Sequence, residues 1–211
     1  YENRLTKASS LQGVAADEAI YTYDPFGRRI KKEVTVNSTL STVNFIYDGD
    51  QIIAEYDDSG TLLKKYIYGP GIDEILKGLV PQGPVPEQYY LYDGLGSVTS
   101  LLDGTITTLE SYSYDVFGKP STTSSLGNRF MFTGREYDAE TGLYYYRSRY
   151  YSPGLGRFLQ RDPVGYLAGI NLYTYCLNNP INWVDPFGWD KQKKEIPPWV
   201  WGALIVATIE P

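Results

Sequence analysis

Histidine is absent from the 211-residue sequence, and cysteine and methionine occur once each. Without histidine the chain has no Ser-His-Asp or Cys-His nucleophile and no histidine-ligated zinc or iron site. Because Cys176 stands alone, neither a disulfide nor a cysteine-ligated metal is predicted, and we expect a small buried side chain there. Carboxylates are the acid–base groups that remain, and no cofactor is predicted.

Calcium is not indicated by the acidic turns either. Asp48 and Asp50 form one acidic pair, and Asp57 and Asp58 form another. Neither pair has the following glycine and the distal glutamate of a calcium-binding loop. We therefore interpret both pairs as solvated turn residues and predict no metal site.

Basic charge and long apolar runs are both scarce. The net charge is −6 and the isoelectric point is about 4.8, which argues against a nucleic-acid partner because such a partner requires a basic face. The apolar run at 199–209 is shorter than the ~20 residues that cross a bilayer as a helix. A truncated membrane segment, a buried strand and the start of another domain stay open for it, and the membrane segment is the one we disfavour.

Tyrosine is abundant instead, with 21 residues beside 7 Phe and 4 Trp, and it recurs at a regular interval. Five Tyr-Asp pairs and one Tyr-Gly pair follow one another at spacings of 24, 21, 24, 22 and 23 residues, beginning at Tyr23, Tyr47, Tyr68, Tyr92, Tyr114 and Tyr137. An interval of this length is typical of a repeat architecture whose units bury their apolar faces against one another. Most of the chain is therefore predicted to be scaffold.

The first repeat explains why tyrosine and aspartate occur together. The pair at Tyr23 and Asp24 leads into a turn in which Pro25 sets the first dihedral angle and Gly27 supplies a positive φ. An aspartate at the start of such a turn accepts hydrogen bonds from backbone N–H groups further along. We predict that the tyrosine faces a shared core and that the aspartate closes the turn.

An all-β fold of successive antiparallel hairpins in one continuous curved sheet follows from this pattern. Strands are predicted over roughly 19–24, 28–36, 43–48, 51–56, 61–68, 89–92, 97–102, 105–115 and 129–133. Short helical turns are predicted near 153–159 and 172–177. Because so short an array cannot close on itself, we expect an open sheet whose edges associate with other chains, or a part of a larger assembly. The start at Tyr1 in mid-pattern favours a fragment.

Ordered motifs lie between residues 89 and 188. They are found at 92–97, 112–118, 132–138, 142–151, 156–158, 161–165, 171–175, 178–180 and 185–188. On these motifs residues 89–188 resemble the Rhs repeat-associated core domain, and residues 1–88 resemble YD repeats. Residues 189–211 are then a divergent tail or the start of a cargo or anchor segment.

The resemblance implies both a fold and a function. In Rhs, YD-repeat, insecticidal Tc-toxin C-component and teneurin proteins the hairpins spiral into a hollow shell, and the core domain closes one end. Bacterial members often carry a toxin after the second Asp-Pro-x-Gly motif, hold it inside, and release it by cutting the chain just after that motif. A secreted or cell-surface bacterial protein is implied, with the rest of the shell and a C-terminal cargo as its partners.

Two Asp-Pro-x-Gly turns contain the candidate catalytic residues. Asp162 and Asp185 begin these turns, and two nearby carboxylates could serve as base and acid on the chain's own backbone. By the resemblance, Arg149 and Asp162 match an arginine and an aspartate implicated in cleavage, and Arg149 would orient a carboxylate. The cut would fall near Gly188 and Trp189, where tryptophan replaces the usual leucine. Any enzyme activity would be that of a single-turnover aspartyl-type autoprotease.

A non-catalytic interpretation stands beside this one. Asp24 begins the same turn within an ordinary repeat, so Asp-Pro-x-Gly is also simply a good turn sequence. The chain would then be an extracellular structural, adhesion or fibre-forming module. A separation of the Asp162 and Asp185 carboxyls beyond ~8 Å would favour this alternative, because paired carboxylates in other hydrolases work at about 5–9 Å.

Overall fold

The computed structural model describes residues 4–9, 18–189 and 191–193. The described residues form strands and three short 3-10 turns, and they contain no α-helix. In chain order the strands are β1 Lys7–Ser9, β2 Glu18–Tyr23, β3 Arg29–Val36, β4 Thr39–Asp48, β5 Gln51–Tyr56, β6 Leu62–Tyr68, β7 Ile75–Leu79, β8 Glu87–Tyr92, β9 Val98–Leu102, β10 Thr108–Ser111, β11 Glu136–Asp138, β12 Leu143–Tyr146, β13 Arg149–Ser152, β14 Arg157–Phe158, β15 Trp183–Val184 and β16 Gln192–Lys193. The 3-10 turns are Phe132–Gly134, Gly165–Ala168 and Cys176–Asn178.

Strands β1 to β10 form one antiparallel sheet in which each strand pairs with its neighbours in sequence. The sheet is open, with β1 and β10 at its two edges. Burial alternates along the strands, so that Ala19 and Tyr21 of β2 point inward while Ile20 between them is exposed. The predicted all-β architecture of consecutive hairpins in an open sheet is confirmed.

A second antiparallel sheet, β11 to β14, packs against the inner face of the first. All four residues of β12 are buried. Tyr144 and Tyr146 belong to one apolar cluster, whereas Leu143 and Tyr145 belong to another, which they share with Tyr21 of the large sheet. The small sheet is therefore covered on both faces, and tyrosine rings supply most of its contacts.

Buried ion pairs join the two sheets. The Arg29 guanidinium of β3 contacts Glu136 at 2.7 Å and Asp138 at 2.5 Å. Arg129 contacts the same Glu136 at 2.8 Å and reaches Glu55 of β5 at 2.6 Å. Removing one member of such a group leaves an uncompensated buried charge, which destabilises a protein strongly. The small sheet is therefore held in one specific position on the large one.

The predicted aspartate turn is confirmed and recurs. Asp24 accepts hydrogen bonds on Oδ1 from the N–H groups of Phe26 and Arg28, two and four residues on, both at 2.9 Å. The same two bonds, to the second and fourth residues, occur at Asp57, Asp93, Asp103 and Asp115. Asp93 and Asp115 belong to the repeat pairs, whereas Asp57 and Asp103 close turns between them. The other repeat sites differ: Asp48 lies opposite Gln51 in the tight β4–β5 hairpin, position 69 is glycine, and Asp138 pairs with Arg29.

Five of the six repeat tyrosines also bond to the repeat before them. The hydroxyl group donates to a backbone carbonyl that lies 16 to 18 residues earlier in the chain. The pairs are Tyr23 with Leu5, Tyr47 with Arg29, Tyr68 with Ile52, Tyr92 with Ile75 and Tyr114 with Val98. The strand register shifts immediately before the first four of these tyrosines, which turns each ring toward its acceptor.

Several predicted elements around the small sheet are wrong. In place of a strand over 129–133, Phe132–Gly134 is a 3-10 turn in which Thr133 has φ +49°. The helical turn predicted near 153–159 is a connection that ends in β14. The turn predicted near 172–177 occurs later, at Cys176–Asn178. Strands β11 to β13 escaped prediction because a sheet buried on both faces lacks the alternation of apolar and polar residues.

Two differences concern the large sheet. The predicted strand over 105–115 is shorter, because Asp103 closes a turn that extends to Thr107 and that places Ile106 at φ +64°. Strand β7 was not predicted, and it follows Gly69, where the Tyr-Asp pattern is broken. The large sheet runs on to Ser111, past the expected domain boundary at residue 88, which stays a prediction from motifs. No helix in the described part of the chain is long and apolar enough to cross a membrane. The apolar run at 199–209 lies outside that part.

Tyr92→Phe tests the contribution of the repeat tyrosine. The Tyr92 hydroxyl accepts from the Ile75 N–H at 2.8 Å and donates to the Ile75 carbonyl at 2.9 Å. Loss of the hydroxyl removes both bonds and leaves the Ile75 N–H with its longer bond to the Asp73 carbonyl, at 3.2 Å, so we expect the free energy of unfolding in urea to fall by roughly 1–3 kcal/mol. Tyr89→Phe, which removes a hydroxyl that bonds to the Glu87 side chain, is the control and should cost less. Equal losses in the two variants would contradict this assignment.

Lys64→Met tests a buried amine on the inner face. Burial lowers the pKa of Lys64 to about 8, whereas an unfolded lysine titrates near 10.4. Between about pH 8 and pH 10.4 the unfolded chain binds more protons at this lysine than the folded chain does. The contribution of Lys64 to the free energy of unfolding therefore rises with pH across that range and is lowest below pH 8. Lys64→Met should therefore raise the Tm by several degrees at pH 7 and by less at pH 10. The exposed neighbour Lys65→Met is the control; a gain that does not change with pH would refute the prediction.

Candidate functional site

The first residue of β13, Arg149, lies at the centre of the candidate site. Its guanidinium carbon lies 3.6 Å from the centre of the Phe158 ring, and the side chain is buried. Nη2 contacts Asp162 Oδ2 at 3.1 Å and Asp185 Oδ2 at 3.2 Å. Nη1 donates to the Leu172 carbonyl at 3.2 Å. The three predicted site residues are thus in direct contact, although 36 residues separate Arg149 from Asp185.

The two Asp-Pro-x-Gly turns place their carboxylates differently. Asp162 accepts a hydrogen bond on Oδ1 from the Val164 N–H at 2.9 Å, as in the repeat turns. Asp185 instead accepts from the N–H groups of Gly188 at 2.8 Å and Trp189 at 3.1 Å. Its carboxylate is therefore directed at the end of its own turn rather than at the middle.

The Gly188–Trp189 peptide group is bound on both sides. The Gly188 carbonyl oxygen accepts from Arg149 Nε at 2.5 Å, and the Trp189 N–H donates to Asp185 Oδ1 at 3.1 Å. Gly188 has φ +72°, and a Cβ atom there would lie 2.3 Å from the Tyr146 carbonyl oxygen. Only glycine fits, because both the dihedral angle and the available space exclude a side chain.

A cavity of about 310 Å³ opens beside this peptide group. Its walls include Arg149, Asp162, Asp185 and Trp189, together with the buried Cys176. Since both carboxylates contact one nitrogen atom, they lie closer together than the ~8 Å that would have favoured a purely structural pair. The arrangement can polarise a carbonyl group, and it offers two carboxylates to exchange protons with a water molecule.

Burial governs the electrostatics of the site. Desolvation lowers the pKa of Arg149, while Asp162 and Asp185 oppose that effect. One guanidinium faces two carboxylates, so an anionic centre is partly neutralised within a half-enclosed space. Burial also raises the pKa of the Cys176 thiol to about 12, and Asp185 adds to that shift. The thiol therefore stays protonated and is not a nucleophile at neutral pH.

Sequence analysis missed a second set of residues at the same turn. Arg147 Nη1 donates to the Pro186 carbonyl at 2.5 Å, and Arg135 Nη1 donates to the same oxygen at 3.2 Å. Both arginines pair with Asp73, which belongs to the loop between β6 and β7. The broken Tyr-Asp pattern at Tyr68 and Gly69 was the available signal for an unusual loop.

Comparison with known proteins identifies the family. The family model of the Teneurin YD-shell matches residues 5–181. The chain belongs to the Teneurin YD-shell family. It is 37% identical over 210 residues to the tRNA(Glu)-specific nuclease WapA of Bacillus subtilis subsp. natto, which covers 95% of this chain and 8% of that protein. It is 27% identical to the double-stranded DNA deaminase toxin A of Burkholderia cenocepacia, over 89% of this chain and 15% of that protein.

A solved structure supports the fold. The crystal structure of TcdB2-TccC3 superposes with a TM-score of 0.66 at 25% identity, covering 85% of this chain and 10% of that one. The chain spans less than a fifth of the length of each of these relatives. The predicted resemblance to Rhs and YD-repeat shell proteins is confirmed, and the chain is a segment of such a shell.

Thiol labelling tests the environment of Cys176. At pH 8 the thiolate fraction of a group with a pKa of about 12 is far below that of a free cysteine. We expect the folded protein to react with an aromatic disulfide reagent on the order of 1,000-fold more slowly than the same protein in guanidinium chloride. Because the chain has one cysteine, the signal needs no correction. Rapid stoichiometric labelling of the folded state would show that the thiol is accessible and ionised.

Proposed function

We propose that this segment closes an Rhs-type shell and cuts its own chain once, between Gly188 and Trp189. Arg149, Asp162 and Asp185 would carry out the cut as a single-turnover aspartyl-type autoprotease. The proposal rests on two hydrogen bonds to one peptide group. Arg149 donates to its oxygen, and Asp185 accepts from its N–H.

The chemistry would be hydrolysis by a water molecule in the adjoining cavity. Asp162 would take a proton from that water as its oxygen bonds to the Gly188 carbonyl carbon. Arg149 Nε would stabilise the negative charge that develops on the carbonyl oxygen. The proton that Asp162 has taken up would pass through Asp185, which contacts the Trp189 nitrogen, onto that nitrogen as the C–N bond breaks. The products are a carboxylate at Gly188 and an amine at Trp189.

The names of the relatives support a role for the shell. WapA is named as a tRNA nuclease and the Burkholderia protein as a DNA deaminase toxin. We propose that the segment after Gly188 is likewise a toxin-like cargo, which the shell encloses and presents. The partners would then be the remainder of the shell and this cargo, in a protein that is secreted or displayed at a bacterial surface. The net charge of −6 argues that this segment does not itself bind nucleic acid.

A non-catalytic shell module is the second candidate. Both carboxylates of the site form ion pairs with Arg149. The same ion pairs would be expected if the site only anchored the chain and had no catalytic role. An adhesion or fibre-forming role, with association through the edges at β1 and β10, would rest on the same contacts. The two candidates differ in whether the backbone is cut.

Mass measurement of the full-length protein separates the two candidates. We expect the wild type to give two species, the second of which begins at Trp189. Asp162→Asn and Asp185→Asn should slow the cut by at least ~100-fold, which is the usual contribution of one acid or base.

Asp115→Asn is the matched control for these two variants. Asp115 closes a turn of the same repeat type and lies outside the Arg149 site, so its variant should cleave like the wild type. An intact wild-type chain, or unchanged cleavage in Asp162→Asn, would favour the non-catalytic module.

A further inference from the structure

Three successive carbonyl groups of the turn at 185–188 are held by three successive residues of the β12–β13 hairpin. Arg147 Nη1 donates to the Pro186 oxygen at 2.5 Å, and the Ser148 N–H donates to the Phe187 oxygen at 3.3 Å. Arg149 Nε completes the series on Gly188. The Gly188–Trp189 peptide is therefore the last link of a backbone segment that is fixed along its whole length.

Arg147 has an unusual environment for a surface hairpin. It has φ +58°, a conformation that costs energy for any residue other than glycine. Its guanidinium lies 5.0 Å from the centre of the Phe187 ring. Arg135 donates to the same Pro186 oxygen from a second direction, at 3.2 Å. The buried Arg135 and the half-buried Arg147 thus converge on one carbonyl group, and two cations so placed require a shared counter-charge.

Asp73 supplies that charge from the large sheet. Its Oδ1 contacts Nη2 of Arg147 at 2.7 Å and also contacts Arg135. Asp73 is buried, has φ +60°, and lies so close to the core that a Cβ atom on Gly134 would be 3.2 Å from its own Cβ. Burial and Arg135 both lower the pKa of Arg147, whereas Asp73 raises it. Without Asp73 the two arginines would repel each other.

The position of Asp73 in the repeat pattern is informative. It lies in the third repeat, where Gly69 replaces the aspartate that closes the turn elsewhere. The loop instead extends to Glu74, which caps it by accepting a hydrogen bond from the Gly71 N–H at 2.9 Å. The third repeat has thus lost the ordinary turn aspartate and carries its acidic residue where the core arginines can reach it.

We infer that Asp73 is a positioning residue for self-cleavage. Asp73 holds Arg135 and Arg147, and these two arginines hold the Pro186 carbonyl group. The Gly188–Trp189 peptide therefore stays in place only while the third repeat is docked on the core. The inference rests on the proposed cut. It adds that cleavage depends on a shell residue distant in sequence from the cut. An incompletely folded shell would therefore keep its cargo attached.

The test measures the first-order rate of cleavage in the full-length protein after refolding. Asp73→Asn should slow cleavage by about 100-fold, since a displacement on the order of 1 Å has that effect on an oriented reaction. Asp57→Asn, which alters an exposed turn aspartate of the neighbouring repeat, is the matched control and should leave the rate unchanged. The Tm values, measured in an uncleaved Asp162→Asn background, report any general loss of stability.

A double variant separates positioning from a merely structural role. If Asp73 acts by keeping two cations together, adding Arg135→Gln to Asp73→Asn removes the repulsion and should recover at least ~10-fold of the lost rate, because Arg147 still reaches Pro186. A merely structural role predicts a further loss. If Asp73→Asn does not fold, Arg147→Gln leaves the pair of Asp73 and Arg135 intact and should also slow cleavage by about 100-fold.

The outcomes separate this inference from the proposed function. If Asp73→Asn and Arg147→Gln both cleave at rates within about threefold of the wild-type rate, the inference is overturned. The cut that depends on Asp162 would then still stand. An additive loss in the double variant would also overturn it. A wild type that is never cut, or one that Asp162→Asn does not slow, would overturn both.

Discussion

The hydrogen bond that five of the six repeat tyrosines make to the preceding repeat is the interaction on which the rest of the fold depends. A β-hairpin alone is at best marginally stable, and a buried tyrosine hydroxyl usually has a hydrogen-bond partner. For Tyr23, Tyr47, Tyr68, Tyr92 and Tyr114 the partner is a carbonyl 16 to 18 residues back, so each of these hairpins completes the one before it. A register shift before four of these tyrosines directs the ring, and in three repeats the aspartate after the tyrosine closes the turn. Repeats built in this way order one another along the chain.

The inner face of this sheet then becomes the platform for the core. Arg29 and Arg129 extend from the two parts of the structure toward Glu136, and these contacts are specific in a way that apolar packing is not. Once β11 to β14 are seated, the β12–β13 hairpin presents Arg147 and Arg149 to the second Asp-Pro-x-Gly turn. The geometry around Gly188 is therefore a consequence of how the two sheets dock. A local sequence motif at 185–188 would not produce it alone.

The sequence predicted the repeated part of the fold because its features are local. Tyr-Asp spacing, turn residues and period-two alternation identify β2 to β6 and β8 to β9, and the turn at Asp24 has the expected hydrogen bonds. Strand β12 was missed for a physical reason: its four residues are all buried, and no alternation distinguishes a strand of this kind. Arg149 contacts both aspartates, and the catalytic role predicted for the three residues stays a prediction. Asp73 could not be found, because its partners are 62 and 74 residues away.

The central claim is that a water molecule cuts the Gly188–Trp189 bond under the control of two carboxylates. Cleavage of the full-length protein in water enriched in oxygen-18, followed by mass analysis of the peptides, tests it most directly. The account predicts one labelled oxygen in the new carboxylate of Gly188 and none in the side chains of Asp162 and Asp185. Label in either aspartate, or a new terminus at another residue, would contradict it.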